Sequence, residues 1–272
     1  MIGVSLSGAA MRTLPLILLT VGLTLAADEH PAPAPKAKTT AKVASAPPAH
    51  AAAPTEAGPA TPKAALAELS AGNDRFVAGK RTRTLDTGHD AAMRAALVKG
   101  QAPFAVVITC SDSRVPDALL FDQEAGRLFT IREAGNAPDL QGLASAEYAV
   151  EHLGSKVIVV MGHTSCGAVK AVREANGKPL PGNLWALQAG MTGLLESTPQ
   201  DPNEDAAAHI AHLETANARR QAQTLLDRSP LLRDLAAAEK LSVVPALYNL
   251  ASGKVQFFKA VAVAVSAPEA HH

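Results

Sequence analysis

The 272-residue chain carries 25 basic and 25 acidic side chains, a formal net charge of zero, and 47% hydrophobic residues, which is enough apolar mass for one large domain with its own core. With no basic excess, and no run of Lys and Arg outside the N-terminal region, the sequence lacks what phosphate binding needs, so nucleic acid is excluded as a partner. A small substrate with no net charge fits this balance better.

Residues 13–27, "TLPLILLTVGLTLAA", follow Met11 and Arg12. The stretch is short for a membrane span of about 20 residues and ends in small residues near Ala26. It predicts a signal peptide over 1–27, export to the bacterial periplasm, and no stable membrane anchor once the signal is cleaved. Residues 28–62 are Pro, Ala and Lys with almost no large apolar side chain, the composition of a disordered linker. His30 and His50 have no partners there at ligand spacing, and 265–272, ending in His271 and His272, reads as a disordered tail. A single folded domain is predicted over 63–264.

Within that domain Leu66, Leu69, Phe76 and Val77 recur near the helical period before Gly79, predicting an N-terminal helical arm, and a second helix is expected over 90–99. "FAVVIT" (104–109) is a continuous apolar, β-branched run, as in a strand covered on both faces. "RLFTIR" (127–132) is a shorter strand, "SAEYAVEHL" (145–153) a helix ending before Gly154, and "KVIVVMG" (156–162) a third strand feeding the helix "GAVKAVREAN" (167–176). This alternation predicts an α/β fold, a mainly parallel central sheet flanked by helices. Residues 201–229 read as one long helix opened by Asp201 with Pro202 behind it, and Pro230 separates it from a helix over 231–240. The segment 241–263 reads as two strands around a turn at Ser252 and Gly253, a C-terminal hairpin added to the sheet.

In an open parallel sheet, reactive groups collect outside the carboxyl ends of the strands. Cys110 ends "FAVVITC", and His163 and Cys166 follow the third strand in "GHTSC". If those strands are neighbours, two thiolates and one imidazole converge on a single ion. Two Cys and one His suit zinc, and three protein ligands leave the fourth position to water, the pattern of a catalytic site. Asp112 is the candidate fourth ligand. Arg114 can hold that carboxylate bidentately, lower its pKa and keep it off the metal, so the two read as a gate. Gly167 opens the helix after Cys166, whose positive end favours the thiolate. Two cysteines in an exported protein ordinarily suggest a disulfide, but the flanking His163, Asp112 and Arg114 argue for a metal instead. His209 and His212, three apart on a predicted helix, have no further ligand in view and read as a solvated helical face.

"CSDSRVPD", "FDQEAGRLFTIREAGN", "SAEYAV" and "GHTSCGAVKA" resemble the motifs of a β-class carbonic anhydrase, a likeness running over about residues 64–260. The resemblance implies one Zn2+ per subunit held by Cys110, His163 and Cys166, with the Asp112/Arg114 dyad gating and orienting the fourth zinc position. It implies that zinc-bound hydroxide hydrates CO2 reversibly to bicarbonate and a proton, and that the working unit is a homodimer or a dimer of dimers. The substrate cleft is then lined across the dimer interface: Gln101 would hydrogen-bond substrate, Phe129 form an apolar wall and Tyr148 a neighbouring phenol, with Gly167 also on the substrate side. Asp117 stands where many relatives have a second proline, a change expected to alter only the following turn. Two other functions fit the same residues: hydrolysis of CS2 or COS at the same zinc, and a non-catalytic zinc or bicarbonate-binding module with Asp112 permanently on the metal.

Overall fold

The computed structural model describes residues 58–82 and 91–263. The expected signal peptide, most of the linker and the tail lie outside them, as do His30, His50, Asp90, His271 and His272. Five strands, β1 (Ala105–Thr109), β2 (Leu128–Arg132), β3 (Val157–His163), β4 (Ser242–Tyr248) and β5 (Val255–Phe257), form one sheet in the order β2-β1-β3-β4-β5. The first four pair in parallel, and β5 runs antiparallel to β4. The helices are α1 (Pro62–Val77), α2 (Ala91–Leu97), α3 (Asp117–Leu120), α4 (Leu140–Glu151), α5 (Gly167–Ala175), α6 (Trp185–Gly190), α7 (Leu194–Ser197), α8 (Ala206–Arg228) and α9 (Pro230–Ala237). Among the described residues no helix is long and apolar enough to cross a membrane.

Every residue of β1 and β3 is buried, as their unbroken Val/Ile runs require. Successive side chains point to opposite faces. Val106, Ile108, Ile158 and Val160 join Leu143 of α4, Leu225 of α8 and Leu232 of α9 in one core layer. Ala105, Val107, Val157, Val159 and Met161 join Leu69 of α1 and Leu120 of α3 in the other. Each large side chain so buried contributes about 1.5–3 kcal/mol relative to exposure. The two layers fix the register, which sets Thr109 beside Met161 and His163 beside Tyr248. Cys110 and the 164–166 turn therefore leave the sheet at the same carboxyl edge.

The structure moves several boundaries. α4 starts at Leu140 rather than 145, because the Asp139 carboxylate accepts from the Gln141 and Gly142 amides at 2.8 and 2.9 Å; an exposed Leu140 and a glycine had masked that first turn. α8 starts at Ala206 and not at Asp201. Asp205 caps it by accepting from Ala207 N and Ala208 N, whereas Asp201 closes a separate turn onto Asn203 N. The hairpin is present but β5 stops at Phe257; beyond it Phe258 N and Val261 N reach Pro245 O and Val243 O singly. The helices α3, α6 and α7 were not expected.

The cap reassignment is testable by urea denaturation. Asp205→Ala should cost about 1 kcal/mol through loss of two amide bonds at the helix start, and Asp201→Ala clearly less; the reverse ranking would place the helix start at Asp201.

Candidate metal centre

Cys110 is the first residue past β1, His163 is the last of β3, and Cys166 caps the start of α5. Their ligand atoms lie within 4.8 Å of one another, and the residues are 5%, 0% and 1% exposed. Among the described residues they are the one such group. Both cysteines are free thiols. His163 Nδ1 lies 3.0 Å from the carbonyl oxygen of Thr164, which can only accept, so Nδ1 carries the proton and Nε2 presents its lone pair. That Nε2 is buried without a hydrogen-bond partner. An orphaned buried acceptor is costly, and beside two thiols it is the arrangement a soft divalent cation satisfies.

The sulfurs show the same demand. A hydrogen bond from Cys166 pulls the Cys110 thiol down to about 4, against the upward push of burial, with the Gly135 amide adding to the pull. The same contact is the largest of the effects that drive Cys166 upward, while the Ala168 and Val169 amides at the start of α5 act against it. The two sulfurs lie close enough to oppose ionising together, a repulsion that a cation between them relieves. Three donors, two soft and one borderline, are a donor set that zinc accepts at bond lengths of about 2.0–2.3 Å.

Asp112 stands beside this cluster. Its Oδ2 is 3.8 Å from His163 Nε2, while Arg114 grips both carboxylate oxygens, Nε to Oδ1 at 2.9 Å and an Nη to Oδ2 at 2.6 Å. Those bonds hold the carboxyl well below the usual carboxylate range against desolvation. Arg114 also reaches Ser165 O at 3.2 Å, bracing a residue held at φ 59 in the turn between His163 and Cys166. Gly167 is exposed, with open space where a Cβ would project.

The remaining predicted pocket residues sit elsewhere in the chain. Gln101 and Tyr148 line a cleft of about 420 Å³ with Leu97, Gly100, Gly126 and Leu153. Phe129 packs against Tyr148, ring centroids 6.3 Å apart. Gln101 precedes β1 and Cys110 follows it, so the cleft and the metal ligands belong to opposite edges of the sheet. His209 is a correction: it is buried, not solvated, because the 198–200 segment folds over it, with Nε2 2.8 Å from Thr198 O and Nδ1 accepting from Arg173. His212 is exposed and pairs with Glu204. Asp117 does more than alter a turn: it is buried, accepts from Thr130 Oγ1 at 2.6 Å, and burial pushes its carboxyl up.

Sequence reasoning missed the residues that hold the ligand loops. Arg132 donates to Cys110 O at 3.1 and 3.2 Å and to Asp112 O at 2.6 Å, and Gly135 N donates to Cys110 Sγ at 3.3 Å. Both lie inside the quoted "TIREAGN". Glu214 accepts from Cys166 N at 2.7 Å. It sits on the buried face of α8, beside Leu213.

Two soft and one borderline donor buried at the carboxyl edge of a parallel sheet, with a carboxylate held just outside them, form a three-ligand metal site of the kind found in metalloenzymes. The family model described as carbonic anhydrase matches residues 105–255. A carbonic anhydrase of Mycolicibacterium smegmatis is 36% identical over 209 residues, covering 72% of this chain and 92% of the relative. Carbonic anhydrase 2 of Mycobacterium tuberculosis is 35% identical over 196 residues, covering 71% and 91%. Among solved structures, the Coccomyxa β-carbonic anhydrase in complex with acetazolamide superposes with a TM-score of 0.58 at 26% identity over 72% of this chain and 87% of its own. The β-carbonic anhydrase CcaA gives 0.57 at 25%, over 72% and 91%. The chain belongs to the carbonic anhydrase family, in its β class, a family of zinc lyases.

Because its folded pKa lies below the unfolded value of about 3.9, Asp112 contributes stability that is fully present above that value and lost as pH falls through the folded one. Carbon-detected NMR should find its carboxyl still ionised at about pH 3, and Arg114→Ala should bring its titration back towards about 3.9. Identical titration in both proteins would mean that Arg114 does not hold the carboxylate.

Proposed function

We propose that this chain is an exported zinc carbonic anhydrase that interconverts CO2 and bicarbonate at Cys110, His163 and Cys166, working as a dimer. The observation that carries the reading is the unpartnered His163 Nε2 between two thiols, with Asp112 adjacent but turned to Arg114. Family membership supports the reaction, and the leader over 13–27 supports export. Zinc held by the three ligands would supply a Lewis acid that makes water nucleophilic near neutral pH.

The chain's own groups do the rest. Asp112, kept anionic by Arg114, is an acceptor for an O–H proton on the nucleophile and orients its lone pair towards carbon. With both oxygens held by Arg114 it stays off the metal; released, it could ligate and close the site. The apolar surroundings suit a substrate with no charge. Gln101 is separated from the same chain's Cys110 by the length of β1, about 15 Å, and Phe129, opposite Val106 and packed on Tyr148, lies four strand residues from Cys110, about 13 Å. We therefore assign them to the cleft of a second copy, related by a two-fold axis.

Metal analysis and stopped-flow CO2 hydration on one sample test the reading: about one zinc per chain, with hydration far above background from pH 7 to 9, is expected. Stoichiometric zinc with only the background rate would favour a binding module, and turnover of CS2 or COS in place of CO2 would favour the hydrolase. Asp112→Asn should retain zinc but lose about 10²–10³-fold in kcat; undiminished activity would remove Asp112 from the mechanism.

Mixed dimers test the shared cleft. Co-refolded Asp112→Asn and Gln101→Ala chains place both defects in one site and leave the other wild type, so activity should rise to about a quarter of wild type per chain. No recovery would put Gln101 in its own chain's site or outside the chemistry.

A further inference from the structure

One helix reaches both sulfur ligands from behind, Cys166 directly and Cys110 through Gly135. Glu214, Asn217 and Gln221 stand three and four residues apart on α8, on one face, and are 2%, 0% and 2% exposed. Glu214 Oε1 accepts the Cys166 amide at 2.7 Å. Asn217 Nδ2 donates to Gly135 O at 2.7 Å and to Asn136 Oδ1 at 3.3 Å, and the Gly135 amide in turn donates to Cys110 Sγ at 3.3 Å. Gln221 Nε2 donates to Asn217 Oδ1 at 3.1 Å and to Gly190 O at 2.8 Å, which fixes the Asn217 amide. Gly135 sits at φ 74, in the left-handed region that favours glycine, and a Cβ there would have to displace Met191 Cε, 2.1 Å away. At Gly162 a Cβ would meet Glu214 O at 3.2 Å, so the helix backbone lies close against β3.

A helix packing on a sheet needs only apolar side chains, and the same face of α8 supplies them in Leu213, Ala218, Ala222 and Leu225. A buried carboxyl and two buried amides are costly unless bonded. Here Glu214 is bonded to the Cys166 backbone, Asn217 to the 135–136 turn whose Gly135 amide donates to Cys110 Sγ, and Gln221 holds Asn217 in place. We propose that Glu214, Asn217 and Gln221 are positioning residues for the metal's two sulfur ligands: Glu214 sets Cys166 through its amide, and Asn217, held by Gln221, sets Cys110 through the Gly135 N–H···S bond. The proposal rests on the reading that Cys110, His163 and Cys166 hold the metal. An N–H donated to a thiolate draws electron density from it and leaves the ion a stronger Lewis acid. Loss of Asn217 should weaken metal binding by leaving the Gly135 turn, and with it Cys110 Sγ, unheld, and should raise the pH midpoint of kcat by loosening that N–H···S bond.

The experiment measures zinc affinity by chelator competition, the thiolate-to-cobalt absorption band of the Co2+ protein, and the pH profile of kcat. Glu214→Ala and Asn217→Ala should each bind zinc about 10–100-fold more weakly and shift the cobalt band. Asn217→Ala should also move the kcat midpoint upward. Glu214→Gln, which keeps an acceptor for the Cys166 amide, should restore most of the affinity. Leu225→Ala, buried on the same helix but bonded to neither loop, should lose thermal stability and bind zinc as wild type. The proposal is overturned if the two alanine variants bind zinc as wild type, if Glu214→Gln is as weak as Glu214→Ala, or if Leu225→Ala is equally weak. Should Glu214→Ala fail to fold, Glu214→Asp, one methylene short of the Cys166 amide, must show the loss; wild-type affinity there overturns it as well. The metal reading fails separately, through a wild-type chain that takes up no stoichiometric zinc or a Cys110→Ser chain that binds it unchanged.

Discussion

The parallel register of β1 against β3 is the constraint on which the site depends. Thr109 beside Met161 puts Cys110 and His163 at neighbouring positions on one edge of the sheet, and the turn after His163 brings Cys166 back to them. A slip of one residue would reverse the faces of every side chain in β1, exchanging Val106 and Ile108 for Val107 and separating the ligands at the same stroke. Core packing and ligand convergence are therefore one requirement. The hydrophobic layers that stabilise the domain also bring the donors together before any ion is bound.

What surrounds the ligands is a balance of charge. Two sulfurs and the Asp112 carboxylate lie within a small volume, and a low-dielectric interior magnifies their repulsion. Arg114 answers the carboxylate, Arg132 ties down the backbone on either side of Ser111, and the amides of Gly135, Ala168 and Val169 face the sulfurs. Every one of these groups is a donor fixed by a turn, a strand end or a helix start. The site is thus preorganised for anionic ligands, and Arg114 takes both oxygens of the Asp112 carboxylate.

Much of this was legible in the sequence for a physical reason. Strands buried on both faces show as unbroken Val/Ile runs, and a chain with two cysteines leaves little choice once both follow such runs beside a histidine. The parallel sheet, the C-terminal hairpin and the three ligands were read on that basis, and the β-class likeness came from short motifs around them. Helix starts were less legible, since either Asp201 or Asp205 could cap α8 and only the amides of Ala207 and Ala208 decide between them. His209 was misread because the cover over it comes from the 198–200 segment, which no periodicity announces. The residues behind the ligands were invisible for a similar cause: Glu214 and Asn217 act through the backbone of Cys166 and Gly135, and such contacts leave no spacing to read.

Extended X-ray absorption at the zinc edge of the purified protein tests the central claim most directly. The account predicts a first shell of two sulfurs at about 2.3 Å, one imidazole nitrogen at about 2.0–2.1 Å and one further light atom, with both sulfurs lost from the shell in a Cys110→Ser, Cys166→Ser chain. A shell without sulfur, or a Cys110–Cys166 disulfide in a protein that holds no zinc, would contradict it.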